Sequence, residues 1–97
     1  MSYKISEISY DPSKKDELFA YVDTQRYKIK AVNGLQLVHV IDIDEGKSVI
    51  IARYDSEESA VAASETIQGI LAGMGQLMTA PPNRRGGPIT WEMWTES

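Results

Sequence analysis

Residues 36–54 read QLVHVIDIDEGKSVIIARY, and the fold turns on how they pair. Residues 36–43 and 47–54 are rich in β-branched side chains, which suit the pleated, half-buried surface of a strand. Asp44-Glu45-Gly46 between them is turn material, so the two runs form a hairpin. A two-residue turn at Glu45-Gly46 predicts pairing of Ile43 with Ser48, Ile41 with Ile50, His39 with Ala52 and Leu37 with Tyr54. One face then carries Leu37, His39, Ile41, Ile50, Ala52 and Tyr54, and the other carries Val38, Val40, Val49, Ile51 and Arg53. Both faces are apolar enough to require burial.

Downstream, Asp55-Ser56-Glu57-Glu58 reads as a helix start, with acids in the first turn and a capping box between Asp55 and Glu58. Ala60, Ala63, Ile67, Ile70, Leu71, Met74 and Met78 lie within about 60° of one direction on that helix. Residues 80–88, APPNRRGGP, read as an irregular connection, with Arg84-Arg85 either a lid or anion clamp or plain loop, and residues 89–95 as the last strand. Upstream, residues 3–10 alternate as a strand. Asp11-Pro12-Ser13 starts a helix, with Asp11 as N-cap and Pro12 at its first position. Leu18, Phe19, Val22 and Ile29 share one face of that helix, which Asn33-Gly34 stops.

The order is strand–helix–strand–strand–helix–strand, a ferredoxin-like βαββαβ α+β unit: a four-stranded antiparallel sheet with two helices on one face. Helices cover only one face of such a sheet. The second apolar face is therefore expected to pack on another copy of the chain, and a two-fold homodimer is the simplest closed solution.

Composition narrows the function classes. The 97 residues suit one domain spanning 1–97. Size scaling gives about 5,500 Å² of folded surface and little spare volume for a deep cavity. With no cysteine and a single histidine, thiolate zinc, cysteine nucleophiles and multi-histidine metal centres are excluded. Fourteen acids against ten Lys and Arg leave a net charge of −4 and no basic stripe for nucleic acid. No apolar run suits a signal peptide or a membrane span, so a cytoplasmic protein is expected, with no nucleic-acid and no membrane partner.

With this element order, the stretch Tyr54-Asp55-Ser56-Glu57-Glu58-Ser59-Ala60 resembles the dimeric α+β-barrel superfamily, and within it the antibiotic-biosynthesis-monooxygenase-like proteins. There an aromatic residue ends the third strand, and serine and acids open the second helix. The likeness spans essentially the whole chain, from Tyr3 to Trp94, as topology and one short motif, largely a capping signal. It implies sheet-to-sheet dimers and either cofactor-free oxygenation of phenol-like substrates or oxidative haem degradation. Haem-degrading members use an asparagine on the first strand, the aromatic before the second helix and a histidine on that helix. Here only Tyr54 matches, as a tyrosine where tryptophan is typical, which argues against haem; no cofactor and no metal are expected.

The resemblance puts the ligand pocket between sheet and helices. His39 and Tyr54 are the candidate catalytic residues: His39 is the only side chain whose unperturbed pKa lies near neutrality. Its alternative is a half-buried histidine on an edge strand, and a longer turn would reverse its face. Gln25 and Arg26, near Val22 on the first helix, are either polar anchors for a ligand or a snorkelling pair. Phe19, Val22, Ile67, Ile70, Leu71, Met74, Trp91 and Met93 are candidate pocket walls, with core packing as the alternative for each. A stripe of small residues on the second helix, Gly69 and Gly73 among them, signals either room for a ligand, close backbone approach, or fraying. The expected function is a small apolar-ligand pocket, oxygenating a phenolic or enolisable substrate. The alternative is a non-catalytic binder of an apolar acid, ketone or signalling metabolite.

Overall fold

The computed structural model describes residues 1–95. Its strands are β1 (Ser2–Ser9), β2 (Leu35–Asp44), β3 (Lys47–Tyr54) and β4 (Asn83–Pro88), and its helices are α1 (Lys15–Thr24), α2 (Arg26–Lys30) and α3 (Glu57–Ala72). The four strands form one antiparallel sheet in the order β2-β3-β1-β4. Leu18 of α1 and Leu71 of α3 bury against Ile8 and Tyr10 of the β1 side, with Met74 closing the cluster. A second cluster joins Tyr54 to Ala60 and Ala63. This is the expected ferredoxin-like α+β unit, with the helices on one face.

The hairpin is present, but its register differs from the expected one. Glu45-Gly46 does form the turn, Gly46 taking a φ of 73° that only glycine adopts without strain. A bulge between Asp42 and Asp44 then inserts Ile43 as an extra residue. Beyond it Ile41 pairs with Val49, Val40 with Ile50, His39 with Ile51 and Val38 with Ala52, and a second shift near Gln36 brings Leu35 opposite Tyr54. A slip of one residue exchanges the faces of a strand. Val38 and Val40 therefore face the helices with Ile50, Ala52 and Tyr54. Leu37, His39 and Ile41 lie on the outer face with Val49, Ile51 and Arg53. Serine, through Ser48, anchors the bulge end: its hydroxyl meets Tyr10 Oη at 2.7 Å and Asp42 Oδ1 at 2.9 Å.

The last strand is Asn83–Pro88, and the expected one at 89–95 is corrected. Residues 83–88 pair with β1 from Asn83 opposite Glu7 to Pro88 opposite Ser2. Glycine and proline are tolerated there because β4 is an edge strand, and Pro88 closes it. Gly86 lies so close to the Tyr3 carbonyl that a Cβ would collide with it. Past Pro88 the ladder runs out: Ile89 N–H still reaches the Met1 carbonyl at 3.0 Å, but no described strand flanks residues 90–95. Alternation of Ile89, Trp91 and Met93 thus suits a strand that has nothing to pair with.

The helices also end differently. Asp11 caps a 3-10 turn (Pro12–Lys14) ahead of α1, its carboxylate accepting from the Ser13 N–H at 3.0 Å. Thr24 Oγ1 donates back to the Tyr21 carbonyl at 2.6 Å, competing with the helical ladder, and the helix breaks at Gln25. Ser56, not Asp55, caps α3, accepting from the Ser59 N–H at 3.1 Å, so no Asp55–Glu58 box forms. The helix stops at Ala72, and Met74 enters the core from the turn that follows. Gly73 is explained by approach: a Cβ there would collide with the Tyr21 hydroxyl, which donates to the Ile70 carbonyl at 3.0 Å.

Candidate functional site

Between helices and sheet lies an apolar cleft of about 70 Å³. Its floor is the helix-facing side of four strands: Lys4, Ser6 and Ile8 of β1, Val38 and Val40 of β2, Ile50, Ala52 and Tyr54 of β3, and Arg84 of β4. Its roof is Leu18, Phe19 and Val22 of α1, Ile29 of α2, and Ile67, Ile70 and Leu71 of α3, with Met74 behind. The roof stops short of the β2 edge, leaving Val38 and Val40 37% and 38% exposed despite facing the helices. Those valines form the mouth of the cleft. A shallower groove of about 520 Å³ runs along the other end of α3, between Gln68, Ala72 and Met78 and the Pro81-Pro82 segment. Leu71 and Arg84 border both spaces.

Polar groups in the cleft are few. Tyr54 is 1% exposed, and its hydroxyl has no hydrogen-bond partner among the described residues. Burial pushes its phenol above the ordinary value of 10.0, with the positive charge of Arg84 pulling partly the other way. At neutral pH it is a phenol able to donate. Lys4 Nζ lies 3.6 Å from Glu57 Oε1, so its charge is matched. The Ser2 hydroxyl also donates to Glu57, and that hydrogen bond, with Lys4 behind it, holds the carboxyl below its ordinary value. Arg84 has no ion-pair partner among the described residues, and its buried Nε has no hydrogen-bond acceptor.

Of the residues expected at a pocket, the structure brings together Tyr54, Phe19, Val22, Ile67, Ile70, Leu71 and Met74. Five others lie elsewhere. His39 is exposed on the outer sheet face opposite Ile51, because the bulge moved it there, so it does not share a face with Tyr54. Gln25 sits at the helix break, its amide on Thr24 Oγ1 at 3.0 Å, and Arg26 points to solvent, paired with Asp23 at 2.9 Å. The break ends the even helical progression that had aligned both with Val22. Trp91 and Met93, 78% and 66% exposed, follow the last strand outside the cleft. Trp94 stacks its ring near the Arg53 guanidinium at 5.8 Å, on the outer face.

Lys4, Ser6, Val38, Val40 and Arg84 line the cleft without having been singled out for it. For Arg84 the usable signal was alternation. Once residues 83–88 are a strand, Arg84 and Arg85 must point to opposite faces. Among the described residues no group of three or more His, Cys, Asp or Glu is placed to hold a metal, and no helix is long and apolar enough to cross a membrane.

No protein-family model matches the sequence, and no curated protein matches it. Solved structures do match. A Deinococcus radiodurans protein assigned as an antibiotic biosynthesis monooxygenase superimposes with a TM-score of 0.79 at 12% identity, covering 100% of both chains. A Nitrosomonas europaea protein with the same assignment gives 0.76 at 15% identity, covering 94% of this chain and 100% of that one. One from Caulobacter crescentus gives 0.73 at 17%, covering 88% and 85%. The fold is thus the ferredoxin-like fold of the antibiotic-biosynthesis-monooxygenase-like proteins.

Proposed function

We propose that the helix–sheet cleft holds a small apolar molecule with one polar end, and that the protein oxygenates it without a cofactor. One observation carries this: Tyr54, 1% exposed, and Arg84, whose buried Nε has no partner, line one apolar cleft between helices and sheet. A buried polar group without a partner, as Arg84 Nε is, is costly in a packed core and useful in a binding site. The fold it sits on is shared with proteins assigned as antibiotic biosynthesis monooxygenases, which favours a phenolic or enolisable substrate over other apolar guests.

In such a reaction the substrate supplies the electrons. A methylene beside an aromatic ketone loses a proton, its carbanion reduces O₂, and CH₂ plus O₂ becomes C=O plus H₂O. The protein orients the substrate, excludes water and stabilises the negative oxygen as it forms. In this reading Tyr54, on the cleft wall, donates to that oxygen. His39, on the outer face, is not placed to act as the base there. The protein acts as a pair of copies packed through the outer face, where Ile5, Leu37, Ile41, Val49 and Ile51 form an apolar surface.

Oxygen uptake with a panel of anthrones and quinols tests the enzyme reading. Turnover by the native protein that falls about 100-fold or more in Tyr54→Phe is the expected result. No uptake, with a retained apolar molecule released by solvent extraction and seen by mass spectrometry, would favour the non-catalytic binder.

A further inference from the structure

We infer that the cleft takes an organic anion, an apolar carboxylate whose head is held by Arg84 and whose body lies between the helices and the sheet. The inference rests on the cleft being a ligand site and names the class of ligand.

Three observations point to it. Arg84 carries the one cation on the cleft wall without a carboxylate: Lys4, its neighbour on β1, is matched by Glu57 at 3.6 Å. The unsatisfied atom is the buried Nε. Guanidinium presents Nε–H and one Nη–H as parallel donors along one edge, spaced for the two oxygens of a carboxylate. Finally, Arg84 stands where cleft and groove meet, so a head group there leaves an apolar tail free to enter the cleft. Strand alternation sharpens the contrast. Arg85, next in sequence, pairs opposite Ile5 on the outer face and is exposed, so the two arginines of one dipeptide have separate surroundings.

The charge of Arg84 also reaches Tyr54, opposing the effect of burial on its phenol. Arg84 and Tyr54 therefore act on one volume: one fixes a formal negative charge, the other donates a neutral hydrogen bond. A phenolic or enolisable molecule that also carries a carboxylate satisfies both groups, whereas the same molecule without the carboxylate leaves the guanidinium edge unpaired.

Butanoate and butanamide, equal in length, different in charge and short enough for the cleft, are the probes, titrated into the full chain by calorimetry. Butanoate is expected to bind about tenfold or more tightly than butanamide. Arg84→Met should remove that preference, leaving butanamide within about twofold of its original affinity, while Arg85→Met changes neither. Arg84→Lys, which keeps the charge and loses the two-donor edge, should retain part of the preference and guards against a folding defect in the methionine variant. Equal binding of the two probes, or a preference that survives Arg84→Met, overturns the inference and leaves the cleft reading standing. Ala52→Phe fills the cleft and should abolish both ligands. If butanoate still binds it in an Arg84-dependent way, the body lies outside the cleft and the reading of the cleft as a ligand site fails instead. Failure of the native protein to bind either probe overturns both.

Discussion

Tyr54 concentrates the chemistry of the site in one side chain. Its ring packs with Ala60 and Ala63, while its hydroxyl lacks a partner. Tyr54→Phe is therefore expected to cost less than about 1 kcal/mol of stability, measured by urea unfolding, while removing the donor. Because its pKa is raised in the folded state, the folded protein keeps the proton longer than the unfolded chain does. Stability from this group is full below the ordinary value of 10.0 and falls as the pH climbs past it. Unfolding midpoints should drop less in Tyr54→Phe than in the native protein over that alkaline range. Leu18 makes a different case, since it is 0% exposed and lies in both core and cleft roof. Leu18→Ala should cost about 2–5 kcal/mol. The lone histidine shows the limit of residue-type reasoning: a suitable pKa does not locate a side chain.

At the scale of elements, small local choices set which groups meet. Gly73 lets α1 approach the end of α3 through Tyr21. Gly73→Ala should lower stability by about 1–3 kcal/mol, and combining it with Tyr21→Phe should recover part of the loss by removing the hydroxyl in the way. Where α3 begins, Glu57 ties the helix to β1 through Ser2 and Lys4. Its carboxyl is held below its ordinary value of 4.5, so the stability it contributes is present above that pH and lost as the pH falls through the lower folded value. Glu57→Gln should make the acid limb of stability against pH shallower. The hairpin, both crossovers and the first turn of α3 were legible because they rest on local composition. Neither the bulge at Ile43 nor the break at Gln25 was. The first needs the neighbouring β1 and Tyr10–Ser48 contact, and the second turns on one threonine hydroxyl choosing the Tyr21 carbonyl.

For the whole molecule the outer face of the sheet sets the assembly to be tested. The single chain presents 6550 Å² of surface, about 1,000 Å² more than a compact monomer of its mass. Ile5 and Ile41 on the outer face are 38% and 45% exposed, and Trp91 and Trp94 beyond β4 more so. Packing two outer faces together would bury these strands as the helices bury the inner ones. Native mass spectrometry should report a dimer, and Ile51→Glu, at the centre of that face, should give a monomer. A native protein that is monomeric at micromolar concentration would remove the pairing of copies while leaving the cleft untouched.

By itself the sequence determined the α+β class, the element order, the turn at Gly46, the apolar surplus on the sheet and most of the cleft roof. Those features follow from periodicity and turn chemistry, which act over a few neighbouring residues. Tertiary structure alone decided the hairpin register, the face of His39, the place of the last strand and the position of Arg84. Each depends on which strand lies alongside which. Residues 89–95 have the pattern of a strand but lie beyond the β1 ladder, whereas the Arg84-containing segment lacks the pattern and has the partner. Backbone hydrogen bonding across the sheet outweighed side-chain preference, and in doing so turned one arginine of a pair into the cleft.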